Sequence, residues 1–144
     1  MLQGVNAMAR MLVVDDDPAW RALYRMAFED CFEIFEASDG QEGLSVLDSV
    51  DPDVILLDLR MARMDGLDFI RRLDDRGGHA PIVVCSGTLN EGERPSIPGV
   101  LLTRKSPDLR DLWDALRAVV PDMADLAPLT KPTTVPVEDT YWRD

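Results

Sequence analysis

Asp53-Val54-Ile55-Leu56-Leu57-Asp58 is the stretch that decides the fold. Four apolar residues, β-branched at the start, run between two carboxylates. A run of that kind reads as a strand buried on both faces, as in a parallel sheet. A second such run, Met11-Leu12-Val13-Val14, also ends in acids: Asp15, Asp16 and Asp17. In a doubly wound sheet, ligands bind outside the carboxyl ends of the strands. Two strands therefore deliver three or four acids to one edge. Clustered carboxylates repel and need a cation or a proton to neutralise them. Oxygen-only donors select a hard ion, and Mg²⁺ is the expected one.

Outward from these strands, strand and helix patterns alternate. Asp17 followed by Pro18 reads as an N-cap with proline at the first helical position. Trp20, Leu23, Tyr24, Ala27 and Phe28 then recur on one helical face, which marks it as a core-packing face. Phe32–Ala37 alternates as a second strand. Ser38-Asp39-Gly40 opens a helix carrying Leu44 and Leu47. Asp65-Gly66 marks a turn before a helix with Leu67, Ile70 and Leu73, which Gly77-Gly78 ends. Pro81–Cys85 and Val100–Leu102 read as a fourth and a short fifth strand. Ser106-Pro107 repeats the cap-then-proline start, and Leu109, Leu112, Trp113, Leu116 and Val120 line the last helix. Such alternation implies parallel strands, right-handed crossovers and helices on both faces. The rhythm breaks between Gly87 and Gly99, where Gly92, Pro95 and Pro98 leave room for about one helical turn.

Composition narrows the function. At 144 residues with a formal net charge of −12, this is one acidic domain. Sequence-independent DNA binding needs clustered Lys and Arg, so direct contact with nucleic acid is not expected. Cys31 and Cys85 lie far apart, forming no disulfide framework or CxxC site; Cys85, in an apolar run, reads as a buried thiol. Met1–Ala7 has neither the basic start nor the apolar stretch of a signal peptide, and no run approaches membrane-span length. A soluble, cytoplasmic protein is the expectation. The tail, 121–144, holds Pro121, Pro128, Pro132 and Pro136 and five acids against two bases, a net −3. It reads as irregular. Its Tyr141-Trp142 pair could dock on a partner or fold back on the domain.

These residues have reached a family. Val14-Asp15-Asp16-Asp17-Pro18, Asp58-Leu59-Arg60-Met61-Ala62-Arg63-Met64-Asp65-Gly66, Ser86-Gly87 and Lys105 resemble the receiver domain of bacterial two-component response regulators. Order and spacing match, except that Ser86 to Lys105 is a few residues short. The resemblance covers 8–120. It implies a flavodoxin-like, five-stranded sheet of order 2-1-3-4-5, here with a shortened or missing fourth helix. It also implies phosphorylation of Asp58 by a histidine kinase or histidine phosphotransfer protein, with Mg²⁺ held by Asp16, Asp58, the backbone carbonyl of Arg60 and, through water, Asp15.

The residue types suit that chemistry. An anionic carboxylate attacks a phosphoryl group only if their repulsion is relieved, which a bridging Mg²⁺ does. Lys105, at the end of the fifth strand, can offer an ammonium to a phosphoryl oxygen. Ser86, ending the fourth strand, can offer a hydroxyl. Singly, the acids could be a cap and solvated charge, Lys105 a surface lysine and Ser86 a strand-end residue; together at strand ends they form a site.

Three departures concern output. Ala62 stands where the family usually has proline. Leu102 stands three positions before Lys105, where an aromatic switch residue is usual. Ser106 separates Lys105 from Pro107, so a trans bond is expected after the lysine, a cis bond to serine costing about 2.5–4 kcal/mol. Only 24 residues follow Val120, too few for a helix-turn-helix module, so a single-domain regulator acting by protein–protein contact is the leading reading. A receiver-derived interaction module with phosphate-independent output is the alternative. A Mg²⁺-dependent phosphatase with an Asp nucleophile is disfavoured: Arg60 occupies the place of its usual second acid and cannot donate a proton at neutral pH.

Overall fold

In this computed structural model, the described residues are 8–59, 61, 64–87 and 98–120. They form five strands and four helices in the order β1 Ala9–Val14, α1 Pro18–Phe28, β2 Phe32–Ala37, α2 Gly40–Leu47, β3 Val54–Leu57, α3 Gly66–Asp75, β4 Ile82–Ser86, β5 Val100–Arg104 and α4 Arg110–Val119. All strand pairs are parallel, and the sheet order is β2-β1-β3-β4-β5. This is the flavodoxin-like, doubly wound architecture expected. The segment between β4 and β5, expected to lack a full helix, falls outside the described residues over 88–97, as do Arg60, Ala62 and the whole of 121–144.

The two-residue period of a strand sorts the core onto two faces. Met11, Val13, Val54, Leu56, Val83 and Cys85 point to the side that α1 and α4 cover with Tyr24, Phe28, Trp113 and Leu116. Leu12, Val14, Ile55, Leu57, Ile82 and Val84 point to the other side, under Phe69, Ile70 and Leu73 of α3 and partly buried residues of α2. The central strands are apolar throughout because neither face meets water. Burying one such side chain contributes about 1.5–3 kcal/mol.

Three helices start on carboxylate caps. Asp17 accepts from the Ala19 N–H at 2.9 Å, Asp39 from Glu42 at 2.8 Å and Asp65 from Asp68 at 3.0 Å. Glu42 reaches back to the Ser38 N–H at 2.7 Å and to its hydroxyl at 2.8 Å, and these hydrogen bonds hold its carboxyl below the usual range. Asp65-Gly66, read as a turn, is thus a cap and a first helical residue. The helix α3 ends as expected, on Gly77 at φ 90°, a conformation that suits glycine.

The last helix corrects the sequence reading. It starts at Arg110, not after Ser106-Pro107, and its cap position is Leu109, at φ 57° with no side-chain cap bond. The Ser106 hydroxyl instead donates to Asp108 at 2.9 Å, and Asp108 accepts from the Arg110 N–H at 2.9 Å. Asp108 performs the capping job one residue early, which holds its carboxyl below the usual range. Burial of the Leu109 side chain offsets the left-handed backbone, which costs about 1–2 kcal/mol. No cis peptide occurs among the described residues, in line with the trans expectation after Lys105.

Candidate functional site

Register builds the site. Val14 pairs with Leu57, and the Asp58 N–H donates to the Val14 carbonyl at 3.0 Å. The next residues, Asp15 and Asp58, therefore leave the sheet side by side. One carboxylate oxygen each from Asp15, Asp16 and Asp58 lies within 4.8 Å of the others. Asp15 and Asp58 are buried and Asp16 is exposed. On the far side, Ser86 closes β4, and its carbonyl accepts the Lys105 N–H at 2.8 Å. That bond continues the β4–β5 ladder one step and aims Lys105 back across the sheet edge.

Lys105 reaches the acids. Its Nζ is 2.9 Å from Asp15 Oδ2 and 3.7 Å from Asp58 Oδ2, with about a tenth of its side chain exposed. Asp15 is held twice more: its Oδ1 accepts the Asp17 N–H at 2.9 Å, and its carbonyl accepts from Arg21 Nη1 at 2.6 Å. Burial pushes the Asp15 carboxyl above the usual carboxylate range; Lys105 and the Asp17 N–H oppose the shift. The neighbouring Asp16 charge adds a smaller push in the same direction as burial. Taking a carboxylate out of water outweighs one neighbouring charge that is itself solvated.

The loop after β3 is packed tightly. Gly66 donates its N–H to the Leu59 carbonyl at 2.9 Å. A Cβ at Gly66 would stand 2.7 Å from Leu59 Cα and 2.8 Å from the Asp58 carbonyl oxygen. The backbone on which Asp58 stands is thus seated directly on the start of α3, and only glycine permits that approach.

The donor set fits a magnesium ion. It is oxygen-only, and an octahedral Mg²⁺ holds ligands at about 2.1 Å, so opposite donors lie about 4.2 Å apart. Donors gathered within 4.8 Å meet that with small side-chain rotations. Arg60, expected to lend a carbonyl, lies outside the described residues.

Sequence reasoning missed the environment of Lys105. Trp20, read only as core, places its ring 4.8 Å from the Lys105 ammonium. Tyr24 stacks against Trp20 at 5.7 Å and is buried, and among the described residues its hydroxyl meets only the Cys85 thiol, a weak partner. Burial first, and the Cys85 and Asp15 charges next, push the phenol well above its ordinary range. Beneath them Thr103 donates to the Val84 carbonyl at 3.0 Å and approaches Cys85 Sγ at 3.5 Å. A signal for Trp20 was available: a helix that leaves the strand end bearing the acids must set its first turn beside them.

Comparison with known proteins agrees with this geometry. A family model of the response regulator receiver domain matches residues 11–98. The positive alginate biosynthesis regulatory protein of Pseudomonas aeruginosa is 37% identical over 130 residues, covering 85% of this chain and 52% of that protein. The nitrate/nitrite response regulator protein NarL of Escherichia coli is 36% identical over 117 residues, covering 75% of this chain and 53% of that protein. The chain thus spans about half the length of these curated relatives. Chemotaxis protein CheY4 of Vibrio cholerae has a similar structure, with TM-score 0.71 at 25% identity over 79% of this chain and 100% of that one. Response regulator TrrA of Thermotoga maritima, solved in complex with Mg(2+)-BeF, gives TM-score 0.67 at 25% identity over 78% and 100%.

Proposed function

The chain belongs to the response regulator receiver family, and from that premise we propose that Asp58 accepts a phosphoryl group from a histidine kinase or histidine phosphotransfer protein. The phosphorylated domain then signals through contact with another protein. The observation that carries this reading is the convergence of Asp58, Asp15, Asp16 and Lys105 at the carboxyl ends of β1, β3 and β5.

In the reaction, a carboxylate oxygen of Asp58 attacks phosphorus. The new P–O bond forms as the bond from phosphorus to the donor's imidazole nitrogen breaks, and the nitrogen leaves with the electron pair. Lys105 neutralises charge on the transferring oxygens from its position 3.7 Å from Asp58. Ser86 is buried at the end of β4, and in this reading its hydroxyl donates to a phosphoryl oxygen. Asp16 and Asp58, with Asp15 through water and the Arg60 carbonyl, are the residues that would hold Mg²⁺. When bound, that ion supplies the positive charge that lets two anionic groups approach.

Several observations also bear on output. Leu102 is half-buried and packs with the α2–α3 cluster, and it has neither ring nor hydroxyl with which to report on Ser86. We therefore assign phosphate-dependent output to movement around Ser86 and Gly87 rather than to a rotating aromatic. Phosphate-independent output has less support, because the acid set and its lysine are all present. We further propose that the receiver unit is 8–120, with 121–144 a docking segment outside it.

Acetyl phosphate is the test reagent. With Mg²⁺, the intact mass should rise by one phosphoryl group; with EDTA it should not. An adduct that persists in Asp58→Ala refutes the assignment.

A further inference from the structure

We propose that Trp20 is a positioning residue whose ring holds the Lys105 ammonium between Asp15 and Asp58. The inference rests on the reading that Lys105 serves phosphoryl transfer to Asp58, and it adds a residue that this reading does not require.

Lysine carries a compact, strongly hydrated charge on a flexible stem. Two acids attract such a group but do not fix it, because water competes for its three donors. Here the ammonium meets Asp15 at 2.9 Å, Asp58 at 3.7 Å and the Trp20 ring at 4.8 Å from its centroid. The ring occupies a side where water would otherwise solvate the charge and presents a π system that attracts it.

The ring is itself immobilised. Trp20 lies in the first turn of α1, between the Asp17 cap bond and Arg21, which grips the Asp15 carbonyl. Tyr24 supports it one turn on, with ring planes 38° apart. The same strand end that carries Asp15 therefore also sets the ring that confines the lysine. Lys105 is fixed at both ends: its backbone by Ser86 of β4, its ammonium by α1 and the acids.

The geometry is tested first without phosphorylation. In the full chain, the ring current of Trp20 should shift the Lys105 ε-methylene protons upfield, and Trp20→Leu should abolish the shift. Lys105 resonances that are the same in both proteins overturn the proposal. The rate of labelling by acetyl phosphate with Mg²⁺ is tested next. Trp20→Leu should slow it about two- to tenfold, with Trp20→Phe intermediate. A ring-fluorinated tryptophan introduced at position 20, similar in shape but with a depleted π face, should slow it too, and this serves if Trp20→Leu does not fold. In a Lys105→Met background none of these changes should slow labelling further. Equal slowing with and without Lys105, or no effect of fluorination, refutes the positioning role. If the upfield shift is present but no version is labelled, the phosphoacceptor reading fails while the Trp20–Lys105 contact stands.

Discussion

The two faces of the sheet are built differently, and the site lies where they meet. The α2–α3 face is apolar, with Leu57, Leu59, Met61, Met64, Phe69 and Ile70 closely packed. Its grip on the site is steric: Gly66 lies against the backbone of Asp58 and Leu59. The α1–α4 face is aromatic and admits polar groups, among them Tyr24, Cys85 and Thr103. Its grip on the site is electrostatic, through Trp20 and Lys105. One face fixes Asp58 by shape, and the other fixes the Lys105 ammonium by charge and ring.

The steric grip gives the largest effect. Gly66→Ala puts a Cβ against backbone atoms that cannot yield, and should cost about 1–3 kcal/mol of stability and slow Asp58 labelling by displacing its main chain. Denaturant melts and acetyl phosphate labelling measure both. A Gly66→Ala protein of unchanged stability and rate would remove the steric half of the contrast.

The polar face predicts the opposite sign. Tyr24 buries a hydroxyl whose one partner among the described residues is the weakly bonding Cys85 thiol, and a poorly satisfied buried polar group costs about 1–3 kcal/mol. Tyr24→Phe should therefore stabilise the fold by about 1 kcal/mol. A loss of stability would mean that the bond to Cys85 outweighs the cost of burying the hydroxyl.

Legibility followed the same division. The α2–α3 face and the central strands announce themselves by period and by runs such as Val54–Leu57, because apolar burial writes itself into local pattern. Asp15, Asp16, Asp58, Ser86 and Lys105 were legible as acids, hydroxyl and base at strand ends. What could not be read was lateral. That Lys105 crosses to Asp15, and that Trp20 lies against it, depends on how helix and strands pack. The helix α4 was misplaced because Ser106-Pro107 is a sound local start signal, which Asp108 and the buried Leu109 override.

A further effect appears only at high pH. Burial pushes the Cys85 thiol from 9.0 to about 11. The folded state then keeps a proton that the unfolded chain releases, so stability should fall as pH rises from 9 toward 11. Cys85→Ala should flatten that fall relative to the native protein. Consistently, iodoacetamide at pH 8 should modify the partly exposed Cys31 and spare Cys85 until the protein unfolds. Rapid native labelling of Cys85 would show that the α1–α4 face opens.

The central claim is that Asp58 forms an acyl phosphate, and borohydride trapping tests it most directly. An aspartyl phosphate is reduced to homoserine, a change of residue that peptide mass spectrometry locates. After acetyl phosphate and Mg²⁺, homoserine should appear at position 58 alone and should be absent when EDTA is present. Homoserine at Asp15 or Asp16, or none anywhere in a protein that gained phosphoryl mass, would contradict the account.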